Sequence, residues 1–259
     1  VLADSASLAG IRLTTLEVRF PRFVLSEFNT HRVFSRNSAS SRAVPTNKMI
    51  ERVLQDPAMP LEWGVNKAGM AASESLPLQQ AEEAKREWLR ARDSAVEHVR
   101  VLQQFNVHKQ VINRILEPYM WHTVIVTATE WSNFFSLRIA PAAQPEIRAA
   151  AEAMRDALAR SSPRHVEIGE WHLPLVQDEE RGLDSELLLK VSAARCARVS
   201  YLTHEGKRDL AKDVELCERL LAERHLSPFE HVATPSGDGE FHANFRGWIQ
   251  MRKAIEAQS

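Results

Sequence analysis

From Gln79 to about Asn106 the apolar side chains Ala81, Ala84, Trp88, Ala95, Val99, Leu102 and Phe105 recur at helical spacing. That pattern predicts one long amphipathic helix. Two strand-like runs accompany it. "IRLTTLEVRF", residues 11–20, alternates Ile11, Leu13 and Thr15 with Arg12 and Thr14 before running into Pro21, and "HTVIVTAT", residues 122–129, is a β-branched run that reads as buried strand. Further helices are expected over 22–32, over 108–117 ending before Pro118, over "EWSNFFSLR", from Pro145 to Arg160 and from Leu210 to Glu223. Residues 45–78 carry Pro45, Pro57, Pro60 and Pro77 with Gly64 and Gly69 and are expected to be mostly irregular. Residues 161–190 read as a polar connector with a short helical end. "SPFEHV" reads as a capped turn, "PSGDGEF" as a turn cluster, and the chain closes on an amphipathic "FRGWIQMRKAIE". Helices and strands mix without a βαβ rhythm, which points to the α+β class.

The 259 residues are 44% hydrophobic, enough for a substantial core. Lysine plus arginine is 33 against 34 acids, a net charge of -1, so no broad basic face is implied and a nucleic-acid polymer is not the expected partner. No apolar run approaches the length of a membrane span. The opening "VLADSASLAG" lacks the basic and apolar regions of a secretion signal, and Cys196 and Cys217 are too few for a disulfide framework. The expected location is cytoplasmic.

Against this neutral background one segment stands out. "THRVFSRNSASSRAVP", residues 30–45, gathers His31, Arg32, Arg36 and Arg42 with Asn37 and four serines. A polar loop could simply be solvated. Closely spaced guanidinium, hydroxyl and amide donors are equally the chemistry of a phosphate site, and no carboxylate follows before Glu51.

The spacing H-R-x-x-S-x-N-x-x-S-x-R, met by His31, Arg32, Ser35, Asn37, Ser40 and Arg42, resembles the signature R-H-R-x-x-S-x-N-E-x-S-x-R-Y of the flavin-dependent thymidylate synthases. Thr30, Ser38 and Ala43 replace its first arginine, its glutamate and its tyrosine. "RILEP" at 114–118, "TATEWSNFFSLR" at 127–138 and "AQPEI" at 143–147 resemble the family's later half. "ARVSY" at 197–201 and "HLSPFEHV" at 225–232 resemble segments that precede the signature in the family but follow it here by more than 150 residues. The chain thus resembles a circularly permuted member, a single domain over 1–259. Residues 1–160 would carry the signature and later half, 161–190 the join, and 191–259 the family's N-terminal half. Permutation is tolerated where the original termini lie close together on the surface.

The resemblance implies a mainly antiparallel central sheet flanked by long helices, with FAD as cofactor. Methylenetetrahydrofolate and NADPH would be co-substrates, and a homotetramer would share its sites between subunits. Position by position, it implies flavin contacts for His31, Arg32, Asn37, Asn133, Leu137, Ser200 and Ser227. It implies nucleotide contacts for Ser40, Arg42, Arg114 and Arg138, with Arg138 polarising the pyrimidine carbonyls as the main electrostatic group. The histidine that the family carries after Arg138 is absent, Pro141 and Ala142 standing there. The C-terminal "FHANFRGWIQMRK" echoes the strand-to-helix entry of residues 11–32, so Gln250 and Arg252 could restore the groups lost at Glu27 and Thr30, or could lie on a plain surface helix.

His225 and His231 sit beside Glu230 without an H-E-x-x-H, so no metal site is expected. Trp131, Phe134 and Phe135 read as core, and both cysteines as structural. The implied reaction is transfer of a one-carbon unit to C5 of a deoxypyrimidine monophosphate, dUMP to dTMP. The changes at Thr30 and Ser38 keep open a hydroxymethylase of dUMP or dCMP. A non-catalytic flavin- or nucleotide-binding homologue also remains open.

Overall fold

The sheet's two central strands owe their pairing to matched β-branched runs. In the computed structural model, which describes residues 1–69, 72, 74–199 and 209–257, β1 is Ala3–Ser7, β2 Arg12–Pro21, β3 Ser35–Ser38, β4 Trp121–Ala128 and β5 Arg164–Val166. Their order across the sheet is β3-β4-β2-β1-β5, antiparallel except for the β1–β5 pair. The register sets Thr15 opposite Thr127 and Val18 opposite Val124. Side chains alternate along each strand, so the two faces differ. On one, Leu16, Val18 and Phe20 pack with Val124, Val126 and Ala128 beneath Phe28, Phe34 and Phe134. The helix Pro145–Arg160 covers that face through Ile147, Ala151, Met154 and Leu158. Proline at its first turn is preorganised for a helix start. Buried Glu146 accepts the Leu61 backbone N–H at 2.6 Å.

The opposite face carries Leu13, Thr15, Ile125 and Thr127 and is covered by the chain's last third. Cys196 and Val199 pack on Ile125, while Val166, Ala233, Phe245 and Trp248 enclose Leu13. Helices Ser185–Ala197 and Leu210–Ala222 pack on each other there. Gly247, at φ +68°, turns the chain into the strand Trp248–Gln250, and a Cβ there would meet Ile11 Cδ1 at 2.5 Å. This places the Trp248 indole N–H 3.1 Å from the Ile11 carbonyl.

Several expectations hold closely. The long helix is Leu78–Gln104, and Phe134 is core, with Trp131 and Phe135 half-buried against it. Others need correction. Residues 22–32 form a 3-10 turn, Arg22–Val24, and a short helix, Leu25–Asn29. Residues 108–117 divide into Lys109–Ile112 and a 3-10 stretch that runs through Pro118 to Tyr119; a 3-10 turn near its end tolerates a proline that an α-helix interior would not. Within 45–78, expected to be irregular, Thr46–Gln55 is helical, because Met49, Ile50 and Val53 share one buried face. The connector 161–190 contributes β5 to the sheet and begins the helix at Ser185. Among the described residues no helix is long and apolar enough to cross a membrane.

Candidate functional site

Four residues, Ser35–Ser38, turn the donor-rich segment from the expected loop into a strand, because they find a partner in β4. β3 is the terminal strand of the sheet, and Arg36, Asn37, Ser38 and the following Ser40 line a cleft of about 750 Å³. The facing wall comes from the last third of the chain: Arg198, then Lys212, Leu216 and Arg219 from one face of the helix Leu210–Ala222, then His225 and Ser227. The two segments touch where Asn37 Nδ2 donates to the Cys196 carbonyl at 3.4 Å.

The cleft is electropositive. Among the described residues lining it are four cations and no carboxylate. Arg198 is partly spent on Asp213 at 3.0 Å and Lys212 on Asp209 at 3.5 Å. Arg219 has no side-chain partner among the described residues. Among the described residues Arg36 donates to neutral oxygens alone, those of Asn29 at 3.1 Å and Phe28 at 3.5 Å. Burial, followed by repulsion from Arg32, lowers the Arg36 pKa against the opposing attraction of Glu230. A concave site of one sign, walled by protein, concentrates ligands of the other sign.

Of the residues singled out from sequence, Asn37, Ser40 and Ser227 meet in this cleft. Arg42 is exposed in the next turn, its backbone N–H donating to Ser40 Oγ at 3.3 Å. Arg114 pairs with Glu117 at 2.6 Å, and Glu117 also accepts from Ser41 Oγ at 3.0 Å, so Arg114 braces the signature turn from outside. Ser200 lies outside the described residues.

A second group gathers elsewhere. Arg138, at the end of the helix Ser132–Arg138, donates from Nε to His31 Nε2 at 2.9 Å and from Nη2 to the Glu27 carbonyl at 3.0 Å and Thr30 Oγ1 at 2.8 Å. Burial and then the Arg138 charge push the His31 pKa down to about 4, so the imidazole is neutral and its acceptor nitrogen faces Arg138. Asn133 and Leu137 are exposed on the same helix, and Arg32 is exposed beyond His31. None of these five lines the cleft.

Gln250 and Arg252 do not reach it either. Buried Gln250 donates to Ser35 Oγ and Asn244 Oδ1, both at 2.9 Å, and so holds the start of β3 from behind. Arg252 is neutralised by Glu230 at 2.5 Å and Glu256 at 2.9 Å. Both cysteines are buried. Burial raises the Cys196 thiol pKa and pushes that of Cys217 up to about 11, which makes neither a nucleophile. Among the described residues no cluster could hold a metal ion.

Sequence reasoning missed Lys212 and Arg219. Their signal was present: Lys212, Leu216, Arg219 and Leu220 recur at i, i+4, i+7 and i+8, one face of a helix.

Comparison with known proteins gives a family match over residues 9–164, to the Thy1 model described as thymidylate synthase complementing protein. No curated protein matches the chain. Similar solved structures include the UMP/dUMP methylase PolB from Streptomyces cacaoi bound with 5-Br UMP, at 22% identity over 57% of this chain and 70% of that one, with a TM-score of 0.46. Another is the flavin dependent thymidylate synthase ThyX from Helicobacter pylori complexed with FAD and dUMP, at 21% identity over 56% and 67%, with a TM-score of 0.38. The match spans the signature segment and both central strands, and on it the chain belongs to the Thy1 family, the flavin-dependent thymidylate synthase type of enzyme.

Proposed function

We propose that the chain transfers a one-carbon unit from methylenetetrahydrofolate to C5 of dUMP, giving dTMP, with FAD held in the cleft between β3 and the last third of the chain and NADPH as electron donor. The observation that carries this reading is the cleft itself: signature residues Asn37 and Ser40 on one wall, Ser227 on the other, and four cations with no carboxylate among the described lining residues. Its size falls within the ~300–1,000 Å³ usual for cofactor sites. The donor set suits a diphosphate, which guanidinium and hydroxyl groups bind well.

When bound, FAD supplies the hydride chemistry that no side chain offers. The chain's own work is binding and polarisation. Asn37 and Ser227 would hold the cofactor, and Arg36, Arg198, Lys212 and Arg219 would neutralise its phosphates. Ser40 and Arg42 would hold the nucleotide. Arg138 keeps Nη1 without a hydrogen bond among the described residues while three other contacts fix its plane. It would polarise a pyrimidine carbonyl as C5 becomes nucleophilic. His31, Asn133 and Leu137 cluster with it away from the cleft, which fits a homotetramer whose sites combine subunits. The order of the segments fits a circular permutation joined through 161–190.

Thr30 and Ser38, which depart from the signature, favour hydroxymethylation as the second reading. Thr30 Oγ1 accepts from Arg138, and Ser38 lines the cleft with its hydroxyl 3.1 Å from His122 Nε2. Neither offers the charge of the family residue. Incubation with dUMP, methylenetetrahydrofolate and NADPH, followed by mass spectrometry, decides between them. The mass of dTMP is expected; the mass of 5-hydroxymethyl-dUMP would select the second reading, and unchanged dUMP from a flavin-loaded protein would refute both.

A further inference from the structure

A serine hydroxyl can donate or accept, so what Ser38 offers a ligand depends on what its own neighbours take from it. Ser38 ends β3, is exposed and lines the cleft. Behind it stands buried His122 on β4, whose Nε2 lies 3.1 Å from Ser38 Oγ. Among the described residues no other hydrogen bond reaches that hydroxyl.

The polarity of this contact is set by Arg22. Its Nη1 lies 3.0 Å from His122 Nδ1, and a guanidinium donates and never accepts, so Nδ1 is the acceptor. Burial and then the Arg22 charge push the His122 pKa down to about 4, so near neutral pH the imidazole carries a single proton. With Nδ1 accepting, that proton sits on Nε2 and is donated to Ser38 Oγ. Arg22 is itself held by Glu117 at 3.1 Å. Burial alone would raise the Glu117 pKa, but the Arg22 charge and bonds from Ser41, Arg114 and Arg22 bring it down, so it stays a carboxylate. Glu117 also accepts from Ser41 Oγ at 3.0 Å, so a line that starts at Ser38 closes on the turn just beyond it. The direction is fixed from Arg22 to His122 and from His122 to Ser38. The proton of the Ser38 hydroxyl is left for a ligand in the cleft.

We propose that Ser38 is a specificity-determining residue of the cleft, fixed as a hydrogen-bond donor, and that it selects a ligand presenting an acceptor oxygen. Arg22 and His122 are positioning residues that act through it. The inference rests on the reading that the cleft holds FAD beside the nucleotide. A phosphate or carbonyl oxygen meets the requirement, and a group that can only donate is refused. The signature has glutamate at this position, and an ionised carboxylate only accepts. Residue 38 therefore shows the ligand the reverse polarity in this chain. A carboxylate would accept from His122 as well, so the exchange changes what faces the ligand and leaves the strand's support in place.

Two measurements test this. In nitrogen NMR of histidine-labelled protein, the ring signals of His122, identified by their loss in His122→Gln, should show the proton on Nε2 and none on Nδ1. A proton on Nδ1 would overturn the assignment. FAD binding is then titrated by fluorescence quenching, and dUMP binding to the FAD-loaded protein by calorimetry, in wild type, Ser38→Ala and Ser38→Thr. Loss of one hydrogen bond predicts that Ser38→Ala weakens FAD or dUMP about threefold to tenfold, and the weakened ligand is the one that carries the oxygen. Ser38→Thr, which keeps the hydroxyl, should stay within about twofold of wild type for both. Unchanged affinities for both ligands in Ser38→Ala, or equal losses in the two variants, would overturn the inference. The cleft reading would survive that result provided that Arg36→Gln still weakens FAD. Wild-type protein that takes up no FAD would overturn both.

Discussion

Five side chains cross the buried face of the sheet in one hydrogen-bonded line. Ser5 Oγ meets His172 Nδ1 at 2.8 Å, His172 Nε2 meets Thr15 Oγ1 at 2.8 Å, Thr15 meets Thr127 at 2.7 Å, and Thr127 meets His231 Nδ1 at 2.7 Å. The line ties β1, β2 and β4 to both later segments of the chain. Burial pushes the pKa of His172 and of His231 down to about 3, and those of His31 and His122 down to about 4. An unfolded histidine titrates near 6.5. Between these values the unfolded chain binds more protons than the folded one, so stability rises with pH through that window. It is fully present above about pH 6.5 and is lost as pH falls toward 4. A melting temperature that drops steeply from pH 6.5 to 4 is therefore expected. His172→Gln, which keeps hydrogen-bonding capacity without titrating, should make the drop shallower; an equally steep drop in that variant would contradict the assignment.

At the scale of elements, one ion cluster fixes how the cleft's far wall is assembled. Arg195, on the helix Ser185–Ala197, is wholly buried. It donates to Glu180 at 2.6 Å from two nitrogens, to Asp213 at 2.9 Å and to the Leu175 carbonyl at 2.9 Å. Removing one member of a buried charge cluster strands the others, which costs ~3–5 kcal/mol. Arg195→Ala should lose that much stability in urea denaturation, and a loss below about 1 kcal/mol would show that the cluster does not hold the helices. What sequence could reveal follows from length and periodicity. The helices Leu78–Gln104 and Pro145–Arg160 and the strands β2 and β4 repeat their pattern often enough to be legible. β3 and β5, of four and three residues, carry no pattern of their own and exist only through their partners. The helix Thr46–Gln55 was hidden by the prolines around it, although Met49, Ile50 and Val53 carried its period.

The same division runs through the site at the scale of the molecule. Asn37, Ser40 and Ser227 could be named because fixed spacing survives in both segments, and the structure brings those segments to one cleft. Lys212 and Arg219 lay outside any signature; only tertiary packing makes them neighbours of it. Gln250 and Arg252 fit the spacing of a duplicated entry element, yet packing spends them on Ser35 and Glu230. The family match ends at residue 164, while the described residues beyond it, 165–199 and 209–257, pack back on the sheet and supply a whole wall of the cleft.

The central claim is that these two distant parts of the chain hold one FAD between them. The direct measurement is the FAD dissociation constant, by flavin fluorescence quenching, for wild type, Arg36→Gln on β3 and Ser227→Ala on the opposite wall. The account predicts tight binding by wild type, a loss of about tenfold or more in Arg36→Gln and a smaller loss of about threefold to tenfold in Ser227→Ala. Wild-type protein that takes up no FAD, or two variants that bind it as wild type does, would contradict it.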